Sequence, residues 1–578
     1  MNKRSIHRLS AVISDDIQQS HHHPVLKHIY ANRGVSHAND VEYSLDRLLP
    51  LQQLKGIEDA VAIIKQAVEA NSNILIVGDF DADGATSTAV CLRALNMMGA
   101  DKISYLVPNR FDFGYGLTPE LVAVAKDFKP DVLITVDNGI SSIAGVAAAK
   151  QLGIKVVVTD HHLAGAELPD SDALVNPNQP GCGFPSKNLA GVGVIFYVML
   201  ALRAALRNDG WFTTQRPEPN LARLLDLVAL GTVADVVPLD FNNRILVSQG
   251  LKRIRAGQCC AGIQQILNVA GRDMTNLVSS DLGFSVGPRL NAAGRLEDMS
   301  LGIECLLTDD TSRAGMIAGQ LHELNLSRRE IEQDMQQQAM ATLEPLLNNL
   351  HNEALPVGMC LFDADWHQGV IGILASRIKE KFNRPVIAFA RSDQGEIKGS
   401  ARSIKGLHIR DALESVSSRH PGLILKFGGH AMAAGLSLKE ADFAQFKQAF
   451  NEVATAQLDE DALQGVIESD GELMATDINL ELAESLRQAG PWGQQFPEPM
   501  FDGEFEVDNW RVVGAKHLKM QLRTIDSDEL IDAIAFNVDA DYLEATGEFI
   551  RAAYRLDVNE FRNKKTAQLI VDYFEGIE

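Results

Sequence analysis

The sequence predicts an α/β protein: a parallel-sheet domain, a long helix leading to a second α/β domain, and a C-terminal β-barrel of the OB-fold type. Three observations carry that expectation. From Ile74 onward, short Ile- and Val-rich runs alternate with helical patterns, which reads as a parallel sheet covered on both faces. Residues 314–350 form the longest helical pattern, rich in Gln, Glu, Leu and Met and free of proline until Pro345, with the length and polarity of a helix bridging two domains. After Glu468 apolar residues alternate at period two between turns, as in a small barrel of five or six strands.

Composition sets the outer bounds. A chain of 578 residues has room for about three to five domains. With 46% hydrophobic and 22% charged residues it reads as an ordinary globular protein with several cores. No apolar run reaches the roughly 18 residues of a membrane helix, and the first residues lack a signal-peptide core, so a cytoplasmic protein without membrane contact is expected. The six cysteines are scattered and form no C-x-x-C pair, which excludes a zinc ribbon and argues against a disulfide scaffold. The net charge of −23 argues against a nonspecific nucleic-acid coat protein, whose footprint would be basic, but leaves room for an enzyme with a local basic groove.

In chain order, residues 1–42 read as a polar, poorly constrained arm; His21, His22, His23 and His28 lack a carboxylate or cysteine spaced to complete a metal shell. Residues 43–51 and 56–70 read as helices. Strands follow at 74–77, 103–107, 131–136 and 155–159, and helices at 85–99, 143–152, 191–207, 220–230 and 242–256. Residues 285–296, SVGPRLNAAGRL, read as a Gly/Arg-rich loop. A second α/β module opens near Pro356. The chain then partitions into the arm, a catalytic domain at 43–300, connecting helices at 301–355, a phosphate-binding domain at 356–468 and the barrel at 469–578.

The polar clusters sit where the strands end, the edge at which open α/β sheets bind ligands. The stretch 74–84, ILIVGDFDADG, runs from a buried strand into Asp79, Asp81 and Asp83. A plain alternative has Asp83 capping the following helix with the others as solvated loop acids; that suits one acid, but three crowded together repel one another unless a cation sits among them. Further strands end in Asp137 and in Asp160-His161-His162, and a rigid turn before Pro238 carries Asp235. Bridging carboxylates with an imidazole suit a pair of divalent ions, Mg²⁺ or Mn²⁺, of the kind that hydrolyses phosphodiesters. Phosphate recognition calls for the opposite chemistry. Arg402 offers a bidentate fork, Ser400 a hydroxyl, and Gly428-Gly429 backbone N–H groups beside His430. Arg110 and Arg289 are further clamps in Gly-containing loops, and Phe111, Phe113 and Tyr115 offer rings for base stacking, with core packing the competing role.

GDFDADG, VDNG, TDHH and GTVADVVPL, in this order and spacing, resemble the motifs of the DHH phosphoesterase superfamily. GSARS and FGGHAMAAG resemble its associated DHHA1 domain. GPRLNAAGR and the barrel narrow the resemblance to the superfamily's single-strand-specific 5′-to-3′ DNA exonucleases, and it extends from Tyr43 to the end of the chain. The resemblance implies that Asp81 and Asp83 bind metal, that Asp137 bridges the ions, that His161 is a ligand and that Asp235 completes the shell. Asp79 corresponds to a ligand in only some members. His162 would contact phosphate or orient a ligand, and Asp160 would hold an imidazole rather than touch metal. The substrate implied is single-stranded DNA, threaded between the two α/β domains and degraded processively to mononucleotides in repair and recombination. A single-strand-binding protein and a helicase are the implied partners of a monomeric enzyme. The rivals are a phosphodiesterase for short RNA or cyclic dinucleotides, a pyrophosphatase, and a single-strand-binding factor without catalysis.

Overall fold

A computed structural model of the chain describes residues 4–109, 116–348, 355–392, 395–429, 431–514, 517–525, 527–538, 547–562 and 564–577. The chain divides into two compact units: one built from the N-terminal strand and Leu326–Ser469, the other from Leu9–Asn325, Asp470–Val538 and Gly547–Glu578. The division falls inside the long helix, Thr311–Asn348, rather than at its ends.

The larger unit contains a five-stranded sheet of β1 (Ile74–Val77), β2 (Ile103–Leu106), β3 (Val132–Val136), β4 (Lys155–Thr159) and β5 (Ala173–Val175), in the order β2-β1-β3-β4-β5 and parallel throughout. β1 and β3 are buried at every residue, as a sheet covered on both faces requires. The strand order reverses between β1 and β3, so their carboxyl ends frame a topological switch point, the usual ligand site of such sheets. Asn138 closes that point by donating to the carbonyls of Val77 (3.1 Å) and Val136 (2.9 Å). Helices α1 (Ala82–Met97), α2 (Gly191–Asn208) and α3 (Leu225–Ala234) pack together around it. α2 is long and apolar enough to cross a membrane, but most of it is buried in this core.

Several elements differ from the sequence reading. Residues 43–51 form no α-helix; 3-10 turns occur at Leu45–Arg47 and Leu51–Gln53. The arm is folded. Leu26, Ile29 and Tyr30 follow the spacing of a helix face and are buried from Pro24–Asn32, Ile17 is buried just before them, and Tyr30 donates to the Ala489 carbonyl. Arg33 makes a bidentate pair with Asp470 at 2.6 and 2.8 Å, with both side chains almost wholly buried. The reading as a solvated segment rested on its histidines and overlooked that apolar face. The Gly/Arg-rich loop is also helical: a π-turn at Leu282–Val286 leads into α4 (Gly287–Leu296), with Pro288 in the first turn where a missing N–H does no harm.

The barrel is closed by five strands, with Leu530–Phe536 pairing parallel to Lys564–Gly576. The first barrel strand, Phe501–Val513, runs through its whole length as one strand, broken only by a register shift between Val507 and Asn509. The barrel's basic residues are largely offset by acids. Arg523 lies 2.7 Å from Asp508, Arg551 3.2 Å from Asp502, Lys519 3.7 Å from Asp532 and Lys565 3.7 Å from Glu484.

The smaller unit carries a mixed five-stranded sheet in which Met359–Asp363 runs parallel to Val386–Arg391, while Glu396–Arg402, Ala433–Lys439 and Lys426–Gly429 continue it antiparallel. Its helix Ile371–Phe382 covers one face.

Candidate metal centre and its surroundings

The centre is assembled from four chain segments that end at the switch point. After β1 the backbone turns at Asp79 and enters α1 at Ala82. Asp81 is the N-cap, accepting from the Gly84 N–H at 3.0 Å, so the capping role belongs to Asp81 rather than Asp83. Asp83 lies in the first turn and reaches across to a second helix start, accepting from the N–H groups of Gly191 (2.6 Å) and Val192 (2.9 Å) of α2. An anion there is favoured by the N-terminal end of the helix dipole.

β3 delivers Asp137 in a left-handed conformation (φ 62°), which is sparsely populated by residues other than glycine and clusters at functional sites. β4 delivers Asp160, His161 and His162. Both oxygens of Asp160 are committed: Oδ2 to the Ile140 N–H, and Oδ1 to the His161 and His162 N–H groups and to His162 Nδ1 at 2.7 Å. Asp160 therefore holds the His162 ring. Asp235 ends α3 and is followed by Val236 in an equally unusual left-handed conformation (φ 60°).

These side chains converge. His161 Nε2 lies 3.2 Å from Asp137 Oδ1 and 3.4 Å from Asp235 Oδ2. Among the described residues, His161 Nε2 and Asp235 Oδ2 are buried with no hydrogen-bond partner. Three overlapping groups have ligand atoms all within 4.8 Å of one another: Asp79 with Asp81 and Asp137, Asp83 with His161 and Asp235, and Asp137 with His161 and His162. Together they unite the nominated acids and histidines with the exception of Asp160, whose oxygens are engaged by Ile140, His161 and His162. An oxygen-rich set with imidazole nitrogen fits Mg²⁺ or Mn²⁺, and orphaned buried atoms on its inner wall are what a cation would satisfy.

The electrostatics point the same way. Burial and the nearby Asp235 push the Asp83 carboxyl up to about 7, and burial with Asp81 pushes Asp235 up to about 8. Burial and then Asp83 raise Asp137 well above the carboxylate range. Burial, joined by the charge of His162, lowers His161. His162 behaves differently: burial opposes its charge, but the Asp160 contact outweighs it and raises the ring to about 9. Burial likewise opposes ionisation of Asp160, and the His162 bond overrides it, holding the carboxyl at about 2.

Two residues outside the nominated set brace the acid loop. Asn291 of α4 accepts from the Ala82 N–H at 2.8 Å, taking up a free donor at the start of α1. Gly294, one turn on, lies so close to the Phe80 carbonyl oxygen that a Cβ there would sit 1.8 Å from it. The GPRLNAAGR segment is thus a brace beneath Asp79–Asp83. Its first arginine, Arg289, is buried, donating to the Ser285 carbonyl and to His322 of the long helix.

The second nominated cluster lies in the smaller unit. Arg402 is held by Ser400 Oγ (3.0 Å) and the Ala401 carbonyl (2.8 Å), and burial lowers its guanidinium. Gly372, in the first turn of Ile371–Phe382, approaches both: a Cβ there would lie 2.8 Å from Arg402 Nη2 and 2.9 Å from Ser400 Oγ. Gly429 sits at the end of a strand rather than in a turn. Arg110, Phe111, Phe113, Tyr115 and His430 lie outside the described residues.

Models of known families match in the same order. The DHH family N-terminal domain matches residues 73–232, the DHHA1 domain residues 353–456 and the RecJ OB domain residues 469–573. The chain is 55% identical to the single-stranded-DNA-specific exonuclease RecJ of Salmonella typhimurium over 95% of each protein. It is 51% identical to RecJ of Haemophilus influenzae over the full length of both. The chain belongs to the RecJ family. Among solved structures, RecJ from Thermus thermophilus in complex with Mn²⁺ aligns with 99% of this chain and 80% of its own, at a TM-score of 0.80 and 28% identity. A second RecJ structure, bound to manganese, covers 71% of this chain and 97% of its own at 34% identity, with a TM-score of 0.57. RecJ relatives thus bind in crystals the ion that the donor set here suits.

Proposed function

We propose that this chain is a metal-dependent exonuclease that degrades single-stranded DNA from the 5′ end to mononucleotides, processively, in repair and recombination. The observation that carries this is the convergence of Asp79, Asp81, Asp83, Asp137, His161 and Asp235 on one switch point, in a chain of the RecJ family. In this reading those six side chains would hold two divalent ions. A bound pair of Mg²⁺ or Mn²⁺ supplies an activated water and a counter-charge for the leaving oxygen.

The remaining residues position and neutralise. Asp160 fixes the His162 ring and keeps it cationic, which suits contact with a phosphate oxygen. Asn291 holds the loop from which three of the acids project. In the smaller unit Arg402, Ser400 and the N-terminal turn of Ile371–Phe382 form a pocket of donors suited to a terminal phosphate. The family motif adds Gly429 and His430 as further candidates for phosphate contact. Arg110 and Tyr115 are proposed to grip the strand. Arg289, bonded inside its own unit, supports the long helix rather than the substrate in this reading. The wider setting is cytoplasmic: a monomer acting with a single-strand-binding protein and a helicase.

The test is digestion of long single strands blocked at either end, with Mg²⁺ and Mn²⁺ compared and a dinucleotide run in parallel. The proposal expects mononucleotides from strands with an open 5′ end and little turnover when that end is blocked. Preference for the dinucleotide would support the short-substrate phosphodiesterase instead.

A further inference from the structure

The π-turn Leu282–Val286 holds a side chain that neither the fold nor the metal centre uses. Leu282, Ser285 and Val286 point inward, whereas Phe284 is 77% exposed. Other phenylalanines form the cores of both units, among them Phe184, Phe196, Phe389, Phe446 and Phe505. A π-turn carries one residue more than an α-turn, and such turns are found at functional sites. This one is packed against the end of α3: Gly283 and Gly287 lie against Val233 and Ala234, the residues just before Asp235. Val236, on the far side of Asp235, is also exposed (64%) and is held in a left-handed conformation that β-branched residues avoid. Two apolar side chains are thus presented to solvent from the elements that carry one wall of the metal centre. A cation joins them. Arg272 donates to Ser285 Oγ at 3.0 Å and lies 3.5 Å from Asp281, with half of its side chain exposed.

We infer that Phe284 is a stacking platform for a nucleobase of the single-stranded substrate, beside Asp235. The inference rests on the nuclease reading above and adds to it a specific contact. The chain is acidic overall, and much of the barrel's positive charge is already paired, so grip on a polyanion needs a component that does not depend on charge. Base stacking on an aromatic ring supplies one and tolerates any sequence, as an exonuclease that removes every base requires. Arg272 stands where the phosphate flanking that base would find a cation. Interior bases of duplex DNA are stacked on one another and offer the ring no face, which leaves only the terminal pair.

The test uses the full chain and single strands carrying 2-aminopurine at successive positions from the 5′ end, bound in EDTA so that nothing is cut. The wild type is expected to quench the probe at one near-terminal position. Phe284→Ala should lose that quench and bind about tenfold more weakly by anisotropy, while Phe284→Trp keeps both. Equal quenching by wild type and Phe284→Ala, at matched saturation, would overturn the inference. Turnover of undamaged strands by the wild type, followed in parallel, tests the nuclease reading separately, because the quench needs binding but no cleavage.

Discussion

The two polar clusters of this chain are built on opposite charge logic. At the switch point of the parallel sheet, carboxylates are packed closely enough to raise one another's pKa, and the basic side chains described among them are histidine rings. At Ile371–Phe382 an arginine, a hydroxyl and a helix start are packed together. The first cluster is incomplete without cations; the second is incomplete without an anion. A phosphodiester substrate with a terminal phosphate needs both, so in the proposed function the difference separates the group that cuts from the group that reads the end. Substitutions that act on only one half of this division test it.

The largest effect is expected from Asp137→Ala. It removes the acid shared by two of the three ligand groups and should lower single-turnover cleavage of a 5′-labelled strand by at least about a thousandfold. Strand affinity, measured by filter binding, should stay within a few-fold of wild type. Near-normal Mn²⁺-dependent cleavage would remove Asp137 from the centre. Next is Arg402→Ala. A charge-assisted bond to phosphate is worth about 1.5–3 kcal/mol, so a loss of about ten- to a hundredfold is expected on a 5′-phosphorylated strand and much less on a 5′-hydroxyl strand. Equal losses on both would break the division of roles, because Arg402 would then act on the strand in general.

How far the sequence revealed these two clusters follows from where their partners lie. The acid centre was legible because a parallel sheet puts the residues after each strand on one edge, so motifs far apart in the chain could be summed. The identity of the N-cap was not, since Asp81 and Asp83 differ only in which N–H groups they meet, and those of Asp83 belong to α2, more than a hundred residues on. The brace by Asn291 and Gly294 was illegible for a related reason. Its targets are a backbone N–H and a backbone carbonyl, and backbone groups leave no mark in composition. Arg289 is a related case: its bonds to the Ser285 carbonyl and to His322 of the long helix could not be read from a glycine-containing segment.

Asn291 gives a smaller and more selective effect than the ligands themselves. Asn291→Ala leaves every acid in place but frees the Ala82 N–H and loosens the loop. Support of this kind is worth about ten- to a hundredfold in metal affinity. The Mn²⁺ concentration for half-maximal cleavage should rise by about tenfold, activity should recover at saturating Mn²⁺, and binding of 5′-phosphorylated strands in EDTA should not change. A deficit that Mn²⁺ fails to rescue would mean that Asn291 does something other than position the acids.

The smallest effect is on stability, and its sign separates the two clusters without any substrate. Asp83 and Asp235 have folded pKa values of about 7 and 8, above their unfolded values, so they contribute stability at low pH that is lost as pH rises through that range. His162, raised to about 9, adds a loss in the same direction above its unfolded value. His161, lowered, works the other way below about 6.5, and Asp160, at about 2, is ionised in both states across the window. The melting temperature of EDTA-treated protein should therefore fall by a few degrees between about pH 5 and 8. Saturating Mn²⁺ should flatten that slope, because a bound cation replaces the proton as the counter-charge and stabilises the fold by mass action. Asp137→Asn should flatten it as well, without metal, by removing one of the repelling carboxylates. Inorganic phosphate, the probe suited to the Arg402 pocket, should leave the slope as it is. If Mn²⁺ leaves the slope unchanged while cleavage still requires it, the acids are not mutually strained in the free protein, and their clustering must be maintained by the hydrogen bonds from α2 and α4 alone.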